Sequence, residues 1–284
     1  MERPVVLSRD AESARGRLAG GGGAIEAHSW EPQSGPPPEV ALRGADAVVN
    51  LAGEPVADGR WTEERKRRIR DSRVIGTRNL VAGLRALAQP PAVLVSASAV
   101  GYYGDRGDET LDEQSSPGGG FLAESCAAWE HEAMAAASFG IRVVCVRIGV
   151  VLAVGGGALA KMLGPFRVGV GGKLGSGQQW MPWIHIDDVA GLFTHALRNH
   201  NVTGPMNAAA PRPVTNADFT RALGKALHRP AILPIPAVAL RVLFGEMHEI
   251  LTGSQRVLPR VAEQSGYAFK HPDVSEALAA VTAT

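Results

Sequence analysis

The sequence predicts an α/β fold in which helices cover both faces of a parallel sheet. Three apolar runs, at residues 45–53, 92–98 and 141–147, are rich in Val, Ala, Leu and Ile and indicate buried strands. Helical runs at residues 61–87 and 121–139 separate these strands. Strands that alternate with helices form one parallel sheet, because right-handed crossovers return each strand beside the last.

A shorter strand, residues 4–10, precedes these elements and carries the polar pair Ser8 and Arg9 towards its end. A dinucleotide-binding sheet begins roughly 25 residues earlier, with a strand, a glycine-rich turn and a helix. No Gly-x-Gly-x-x-Gly or Gly-x-x-Gly-x-x-Gly motif lies ahead of this strand. We therefore predict a Rossmann-like, doubly wound parallel sheet whose first strand, turn and helix are missing.

The missing strand would lie at the centre of a sheet with strand order 3-2-1-4-5-6. Its neighbours would be the strand that ends at Arg9 and the strand that ends at Gly53. Without it, two inner edges carry unpaired backbone groups. We expect one of two outcomes: residues 4–9 slide across to pair with residues 47–51, or a gap remains and the chain is unstable alone.

The second half of the chain changes character at residues 155–157, a glycine run that opens a segment rich in glycine, proline and tryptophan. Helix signals return at residues 189–197, 216–227 and 237–244. We interpret residues 1–152 as the truncated nucleotide-binding domain, 153–210 as a substrate-cleft segment interleaved with it, and 211–284 as a smaller C-terminal lobe that forms one wall of the cleft.

The composition is that of an ordinary globular enzyme-like chain. Its 284 residues are 45% hydrophobic and carry a net charge of +1, which gives no indication of a nucleic-acid, acidic or membrane partner. Cys126 and Cys145 fit neither a disulfide framework nor a zinc site. No run approaches the roughly 20 apolar residues of a membrane span, and Met1 is not followed by a signal-peptide apolar region. We predict a cytoplasmic protein whose partner is a small-molecule substrate.

The basic cluster at residues 65–68 invites a nucleic-acid interpretation. Glu63, Glu64 and Asp71 lie among these basic residues, and no series of aromatic residues accompanies them. The pattern therefore favours a solvated helix face.

His185, Asp187 and Asp188 raise the alternative of a metal site. Alternation along a strand places His185 and Asp187 on one face and Asp188 on the other. The two aspartates also suit the N-cap of the helix that follows. We therefore predict no metal site.

Ser8 and Arg9 lie at the end of the strand that contacts the adenosine ribose in a nucleotide-binding sheet. An acidic residue there favours the free 2′-hydroxyl of NAD, whereas a hydroxyl and a guanidinium fork favour a 2′-phosphate. The pair thus predicts NADP, and the alternative is a surface loop without a ligand.

At the end of a later strand, Ser98 precedes a Tyr-Gly turn at Tyr103, which is a suitable place for a hydroxyl beside a reactive carbonyl or carbinol.

Taken together, several motifs carry a resemblance to a known family. Ser98 with Tyr103 and Gly104, residues 50–53 and residues 183–190 resemble an extended short-chain dehydrogenase/reductase. More narrowly, the chain resembles the YfcH-like epimerase family proteins at residues 53–56, 60–62, 147–152 and 155–157. Residues 211–280 resemble the C-terminal domain of unknown function that this branch carries.

The resemblance implies NADP as the cofactor. The implied contacts are Ser8 and Arg9 at the ribose phosphate, the backbone of Leu51 and Ala52, Arg73 and Arg78 on the following helix, and Val151 near the nicotinamide. The chain departs from the family at the glycine-rich turn, so NADP binding is expected to be weak or lost if the truncation is real.

The chain also departs from the superfamily at its catalytic Tyr-x-x-x-Lys pair, whose matching positions hold Leu122 and Cys126. These side chains do not reproduce a tyrosine whose pKa is lowered by a lysine. The remaining catalytic candidates are Ser98 and Tyr103. Tyr103, or its neighbour Tyr102, can act only if its hydroxyl points into the cleft. The alternative is a tyrosine that packs in the protein interior.

Three hypotheses of function follow. The first is an NADP-dependent oxidoreductase or epimerase-like protein that acts on an unidentified small molecule, with a nucleotide-linked sugar among the candidates. The second is a catalytically silent protein that senses or scaffolds through NADP occupancy. The third is a truncated, cofactor-free product of a misplaced start codon.

Overall fold

The structure, a computed structural model, describes residues 4–18 and 25–283. Its strands are β1 (Val5–Ser8), β2 (Glu26–Ser29), β3 (Ala47–Asn50), β4 (Val93–Ala99), β5 (Thr110–Leu111), β6 (Arg142–Ile148), β7 (Val150–Leu152), β8 (Trp180–Met181), β9 (Trp183–His185), β10 (Gly204–Ala208), β11 (Val214–Thr215) and β12 (Arg256–Val257). Its α-helices are α1 (Ala11–Leu18), α2 (Glu39–Leu42), α3 (Glu63–Arg85), α4 (Phe121–Met134), α5 (Gly157–Arg167), α6 (Ile186–Arg198), α7 (Asn216–Ala226), α8 (Ala237–Phe244), α9 (Glu249–Thr252), α10 (Arg260–Gln264) and α11 (Val274–Thr282).

The central sheet is parallel and has the spatial order β10-β6-β4-β3, while β1 and β2 form a separate parallel pair. Val95 of β4 lies opposite Val49 of β3 on one side and Val144 of β6 on the other. The predicted α/β fold with a Rossmann-like parallel sheet is therefore confirmed.

Side chains alternate across β4 and give the sheet two apolar faces. Val93, Val95 and Ala97 pack in one cluster with α6, whereas Leu94 packs on the opposite face with α3. Because both faces are covered, β4 is apolar along most of its length, as the sequence predicts.

At β3 the structure differs from the sequence prediction. The run predicts a strand buried on both faces, but Val49 is 41% exposed and Leu51, just beyond the strand, is 66% exposed. One edge of β3 pairs with β4, and no strand of the described residues pairs with the other edge. The expectation of a buried strand is wrong because this edge and the face beside it are uncovered.

β1 runs alongside β2, with Val5 opposite Glu26 and Ser8 opposite Ser29, and it makes no ladder with β3. The expected alternative in which residues 4–9 slide across to pair with residues 47–51 is therefore wrong. A groove lies between the ends of β1 and β3 instead. The instability expected for an arrangement with a gap stays a prediction.

Residues 153–210 return a strand to the central sheet. β10 pairs with β6, with Met206 opposite Val146, so this segment is interleaved with the sheet in space. A second core lies beyond it, where α5, α7 and α11 pack together through Leu159, Phe219 and Leu278. The predicted domain boundaries at residues 152 and 210 stay predictions.

The start of α6 also differs from the prediction. Its N-cap is His185, whose Nδ1 accepts the backbone N–H of Asp187 at 3.1 Å. Asp188 is fully buried, and its carboxylate accepts the N–H groups of Lys270 and His271 at 2.8 and 2.9 Å. An aspartate N-cap was wrong because the Asp188 carboxylate instead holds the chain segment that precedes α11.

Candidate functional site

A groove of about 270 Å³ lies between the carboxyl ends of β1 and β3. Residues from strand ends and from α3 line it: Leu7, Ser8, Arg9, Trp30, Glu31, Pro32, Gln33, Leu51, Ala52, Gly53, Glu54 and Ser72. The structure thus brings together Ser8, Arg9, Leu51 and Ala52, four of the residues predicted to bind the cofactor. Ligands of parallel α/β sheets bind outside the carboxyl ends of the strands, which is where this groove lies.

Ser8 and Arg9 lie at the rim of the groove, in the turn from β1 to α1. The Ser8 hydroxyl accepts the N–H of Asp10 at 3.3 Å, and the Ser8 carbonyl accepts the N–H of Trp30 at 2.9 Å. The Asp10 carboxylate accepts the N–H of Ser13 in the first turn of α1 at 2.9 Å. These contacts fix the backbone, while the Arg9 side chain is exposed and has no ion pair within the described residues.

A buried asparagine shapes the turn after β3. Asn50 donates its side-chain N–H groups to Thr77 Oγ1 at 2.9 Å and to Ser96 Oγ at 3.3 Å. Its Oδ1 accepts the backbone N–H of Ala52 at 3.2 Å. Because Asn50 is held on both sides, the backbone of Leu51 and Ala52 borders the groove in a fixed position.

The charges that line the groove leave one cation available to an anion. Glu54 pairs with Arg65 at 2.5 Å and with Arg68 at 2.8 Å. The hydrogen bond from Arg68 holds the pKa of Glu54 below its usual range, so this carboxylate is ionised and neutralised by its partners. Glu31 is the other acidic residue of the lining. Among the described lining residues, Arg9 is therefore the cation that a bound anion meets.

Arg73 lies against the turn after β3 and is not a lining residue of the groove. Its guanidinium carbon is 3.0 Å from the position that a Cβ on Gly53 would occupy, and it lies 5.1 Å from the centre of the Trp129 ring. Burial lowers the pKa of Arg73. Glycine at position 53 permits this close approach.

The structure does not bring Arg78 or Val151 to the groove. Arg78 is exposed on α3 and pairs with Glu132 of α4 at 2.6 Å. Val151 lies on β7 opposite Ile184 of β9 and packs against the core beneath the sheet. Val151 is predicted for the nicotinamide end of the cofactor, whereas the groove lies where the ribose phosphate is expected. The roles of both residues stay predictions.

A buried ion pair lies at the carboxyl ends of β4 and β6. Arg147 is 3% exposed and binds both carboxylate oxygens of Glu130 at 2.8 Å. Burial disfavours the charged guanidinium, but the hydrogen bonds and charge of Glu130 outweigh it and raise the pKa of Arg147. Ser98 Oγ donates to the same carboxylate at 2.7 Å, and the Arg147 guanidinium lies 3.5 Å from the centre of the Tyr102 ring. The ion pair therefore fixes the Ser98 hydroxyl.

Tyr103 belongs to the same buried network. Its hydroxyl accepts a hydrogen bond from Arg147 Nη1 at 2.9 Å and lies within donating distance of Asn207 Oδ1, at 2.7 Å, and of the Asp112 carbonyl, at 2.9 Å. Burial raises the pKa of Tyr103 to about 12. The Tyr103 hydroxyl does not point into a cleft, which was the condition for a catalytic role. Its surroundings fit the alternative, a tyrosine that packs in the interior.

The positions that match the Tyr-x-x-x-Lys pair do lie beside the end of β4. A Cβ on Gly101 would lie 3.3 Å from Leu122 and 3.8 Å from Cys126 Sγ. Burial raises the pKa of Cys126 to about 12, so its thiol is neutral at pH 7. Neither side chain supplies an acid or a positive charge at this place.

Glu130 and Arg147 are site residues that the sequence analysis missed. The sequence does carry a signal for them, because an arginine at the end of a strand covered on both faces requires an acidic partner. The choice of Glu130 among the acids of the chain depends on how α4 packs, which periodicity alone does not define.

Comparison with known proteins identifies the family. The model of the NAD dependent epimerase/dehydratase family matches residues 39–209, which is more than half of the chain. The chain belongs to this family. A second model, a domain of unknown function (DUF1731), matches residues 235–281.

Relatives of the same family support this assignment. An epimerase family protein of Mycobacterium bovis is 44% identical over 254 residues, which cover 89% of this chain and 84% of the relative. The crystal structure of human epimerase family protein SDR39U1 with NADPH has a TM-score of 0.86 and 35% identity, and the match covers 99% of this chain and 91% of the human chain. A nucleoside-diphosphate sugar epimerase from Corynebacterium glutamicum has a TM-score of 0.73 and 34% identity over 97% of this chain and 57% of its own. The resemblance to an epimerase family is confirmed, and the narrower YfcH-like assignment stays a prediction.

Proposed function

We propose that the chain binds NADP, with the adenosine ribose and its 2′-phosphate in the groove between β1 and β3. The observation that carries this proposal is that Ser8, Arg9, Leu51 and Ala52 line one groove at the carboxyl ends of parallel strands. The Arg9 guanidinium offers a fork of N–H donors to a 2′-phosphate. The human relative, whose crystal structure holds NADPH, supports NADP over NAD.

The pyrophosphate is the part of NADP for which the fit is poorest. Rossmann folds bind pyrophosphate at a helix N-terminus that follows a glycine-rich turn. Within residues 4–18 and 25–283, no strand pairs with the free edge of β3, and α1, the helix that follows β1, begins at Ala11 without a glycine-rich turn ahead of it. We therefore propose that the ribose-phosphate end of NADP, and not its pyrophosphate, makes the main contacts with the described residues.

Filling the gap beside β3 is expected to strengthen NADPH binding. A designed strand, glycine-rich turn and helix of roughly 25 residues, fused ahead of Pro4, would pair the open edge of β3 and supply the helix N-terminus. The expected decrease in Kd is at least tenfold, about 1.4 kcal/mol or more. Fluorescence titration of NADPH against the two forms measures it.

The matched control carries the same designed segment with alanine in place of the turn glycines. This form restores the strand without a close backbone approach to the phosphates, so its Kd should stay near that of the unmodified chain. A Kd that is equal in all three forms would mean that the nucleotide is held without the added motif.

Our first candidate for the activity is an NADP-dependent oxidoreductase or epimerase-like reaction on a small molecule. Bound NADP would accept or supply a hydride. The Ser98 hydroxyl donates a hydrogen bond to Glu130, so the lone pairs of the Ser98 oxygen remain available to accept one from a substrate hydroxyl. Tyr103 acts as a positioning residue through Arg147. A nucleotide-linked sugar is the substrate class that the Corynebacterium relative suggests.

The second candidate is a catalytically silent protein that responds to NADP occupancy. Three observations favour it: Leu122 and Cys126 at the catalytic pair, Ser98 only 3% exposed, and the Tyr103 hydroxyl fully buried. In this case the network around Arg147 is structural.

Two variants separate an NADP-dependent oxidoreductase from a silent protein in an assay of NADPH oxidation with a panel of carbonyl compounds; an epimerase-like reaction consumes no NADPH and is followed instead by the conversion of a nucleotide-linked sugar. If the chain is an enzyme, turnover is slow, Ser98→Ala lowers kcat at least tenfold, and Cys126→Ala leaves it unchanged because the neutral thiol takes no part. If the chain is silent, neither the unmodified protein nor any variant oxidises NADPH. Rapid turnover that is abolished in Cys126→Ala would contradict our description of the site.

A nucleic-acid or membrane partner is not part of the proposal. In the basic cluster, Arg67 and Arg68 are exposed, whereas Lys66 is 17% exposed and pairs with Glu63 at 2.5 Å and with Glu246 at 2.9 Å. The solvated helix face stays a prediction. None of the helices in the described residues has both the length and the apolar character needed to span a bilayer. The cytoplasmic location stays a prediction.

A further inference from the structure

We propose that His185, Asp187 and His271 form a binding site for a divalent transition-metal ion, for which Zn²⁺ is the best match. The three side chains offer two imidazole nitrogens and one carboxylate oxygen, and these atoms lie within 4.8 Å of one another. The prediction of no metal site considered Asp188 as the third residue, and the proposal replaces it with His271, which lies 86 residues beyond His185 in the chain. Imidazole and carboxylate are ligands that Zn²⁺ takes in tetrahedral sites, often with water in the fourth position. Mg²⁺ and Ca²⁺ prefer ligand sets made of oxygen alone.

The two distances from the carboxylate to the imidazole nitrogens are close to those of a formed site. Asp187 Oδ2 lies 3.8 Å from His185 Nδ1 and 3.7 Å from His271 Nε2. Both separations are too long for hydrogen bonds. Two ligands at about 2.0–2.1 Å from a tetrahedral Zn²⁺ are about 3.4 Å apart, so the carboxylate needs to move by a few tenths of an ångström. The Asp187 side chain is 56% exposed and has room for this movement.

The two histidines are held together by contacts that do not involve an ion. Their ring centres are 3.8 Å apart, with an angle of 32° between the ring planes. His185 ends β9, and the backbone of His271 is tied to the first turn of α6 by the buried Asp188. The Tyr267 hydroxyl also lies 3.0 Å from the Asp188 carboxylate. The two residues are therefore held near each other by the backbone, whereas the rings need to rotate out of their stacked contact before both nitrogens face one ion.

Two features oppose binding. His185 Nδ1 accepts the N–H of Asp187 as the cap of α6, so an ion at this nitrogen takes the place of that hydrogen bond. Lys270 adds a positive charge nearby, which Asp187 and Asp188 offset. These features reduce the affinity without removing a ligand.

A bound ion would link the start of α6 to the segment before α11. His271 lies within the residues matched to the domain of unknown function, whereas His185 and Asp187 lie within the residues matched to the epimerase family. None of the three lines the groove proposed for NADP. The ion would thus stabilise the contact between these two parts of the chain, independently of the nucleotide.

Calorimetric titration of ZnCl₂ into the full chain, prepared without an affinity tag, tests the proposal. We expect one ion per chain, and a Kd at least tenfold weaker in His271→Ala and in Asp187→Asn. Asp187→Asn keeps the backbone N–H that caps α6, so it preserves the fold even if His271→Ala does not. His200→Ala removes an exposed histidine just beyond α6 and should leave the Kd unchanged. MgCl₂ should give no binding heat.

Thermal unfolding supplies a second measurement. Zn²⁺ should raise the Tm of the unmodified chain and of His200→Ala, because an ion that binds only the folded state stabilises it, and should raise the Tm of Asp187→Asn less at the same Zn²⁺ concentration. Absence of Zn²⁺ binding to the unmodified chain, or binding of equal strength in His271→Ala and Asp187→Asn, would overturn the proposal.

Discussion

Replacement of Glu130 by alanine is expected to lower the free energy of unfolding by about 3–5 kcal/mol. The change leaves Arg147, which is 3% exposed, without its carboxylate partner. It also removes the acceptor of the Ser98 hydroxyl. A buried charge without a partner is one of the few single changes with so large an effect. Denaturant unfolding followed by tryptophan fluorescence measures the loss.

The matched control is Glu132→Ala, two residues further along α4. This variant breaks a pair with Arg78, whose side chain is 59% exposed, so its effect on stability should be much smaller. The double variant Glu130→Leu with Arg147→Met should recover much of the loss, because both buried charges are then removed. Equal losses for Glu130→Ala and Glu132→Ala would show that the buried ion pair does not stabilise the fold.

Replacement of Arg9 by alanine is expected to weaken NADPH binding by about 1.5–3 kcal/mol, which is more than tenfold in Kd. A charge-assisted hydrogen bond to the 2′-phosphate is lost, and the groove lining has no other unpaired cation among its described residues. NADH lacks this phosphate, so its Kd should hardly change. Calorimetric titration of both nucleotides at a fixed salt concentration measures the difference.

Two further variants separate local contact from net charge. Arg17→Ala removes the same charge from an exposed position on α1 outside the groove, and it should leave both Kd values unchanged. Arg9→Lys keeps the charge but loses the guanidinium fork, and it should bind NADPH with intermediate affinity. Equal losses for NADPH and NADH in Arg9→Ala would contradict the assignment of the 2′-phosphate to this residue.

The elements that sequence reasoning predicted well are those defined by local pattern. The helix predicted at residues 237–244 is found at Ala237–Phe244, and the strand predicted at residues 92–98 is found at Val93–Ala99. Both are continuous apolar or periodic runs, so local composition is sufficient to define them. The burial of β3 was mispredicted because exposure of Val49 depends on what pairs with the far edge of the strand, which its own sequence does not record.

The residues of the site likewise divide into those that a local pattern predicts and those whose position depends on distant parts of the chain. Ser8 and Arg9 were predicted because ligands of parallel sheets bind at the carboxyl ends of the strands. The surroundings of Tyr103 were not, because its hydroxyl partner Asn207 lies 104 residues further along the chain. The place of His271 beside His185 likewise depends on the buried contacts of Asp188, which no local pattern predicts.

The central claim is that the groove between β1 and β3 holds the 2′-phosphate end of NADP. Direct titration of the unmodified chain with NADPH and with NADH, under identical buffer and salt, tests it. We expect NADPH to bind with a Kd at least tenfold lower than that of NADH, because only NADPH presents a phosphate to Arg9. NADH that binds as tightly as NADPH, or a chain that binds neither nucleotide, would contradict the account.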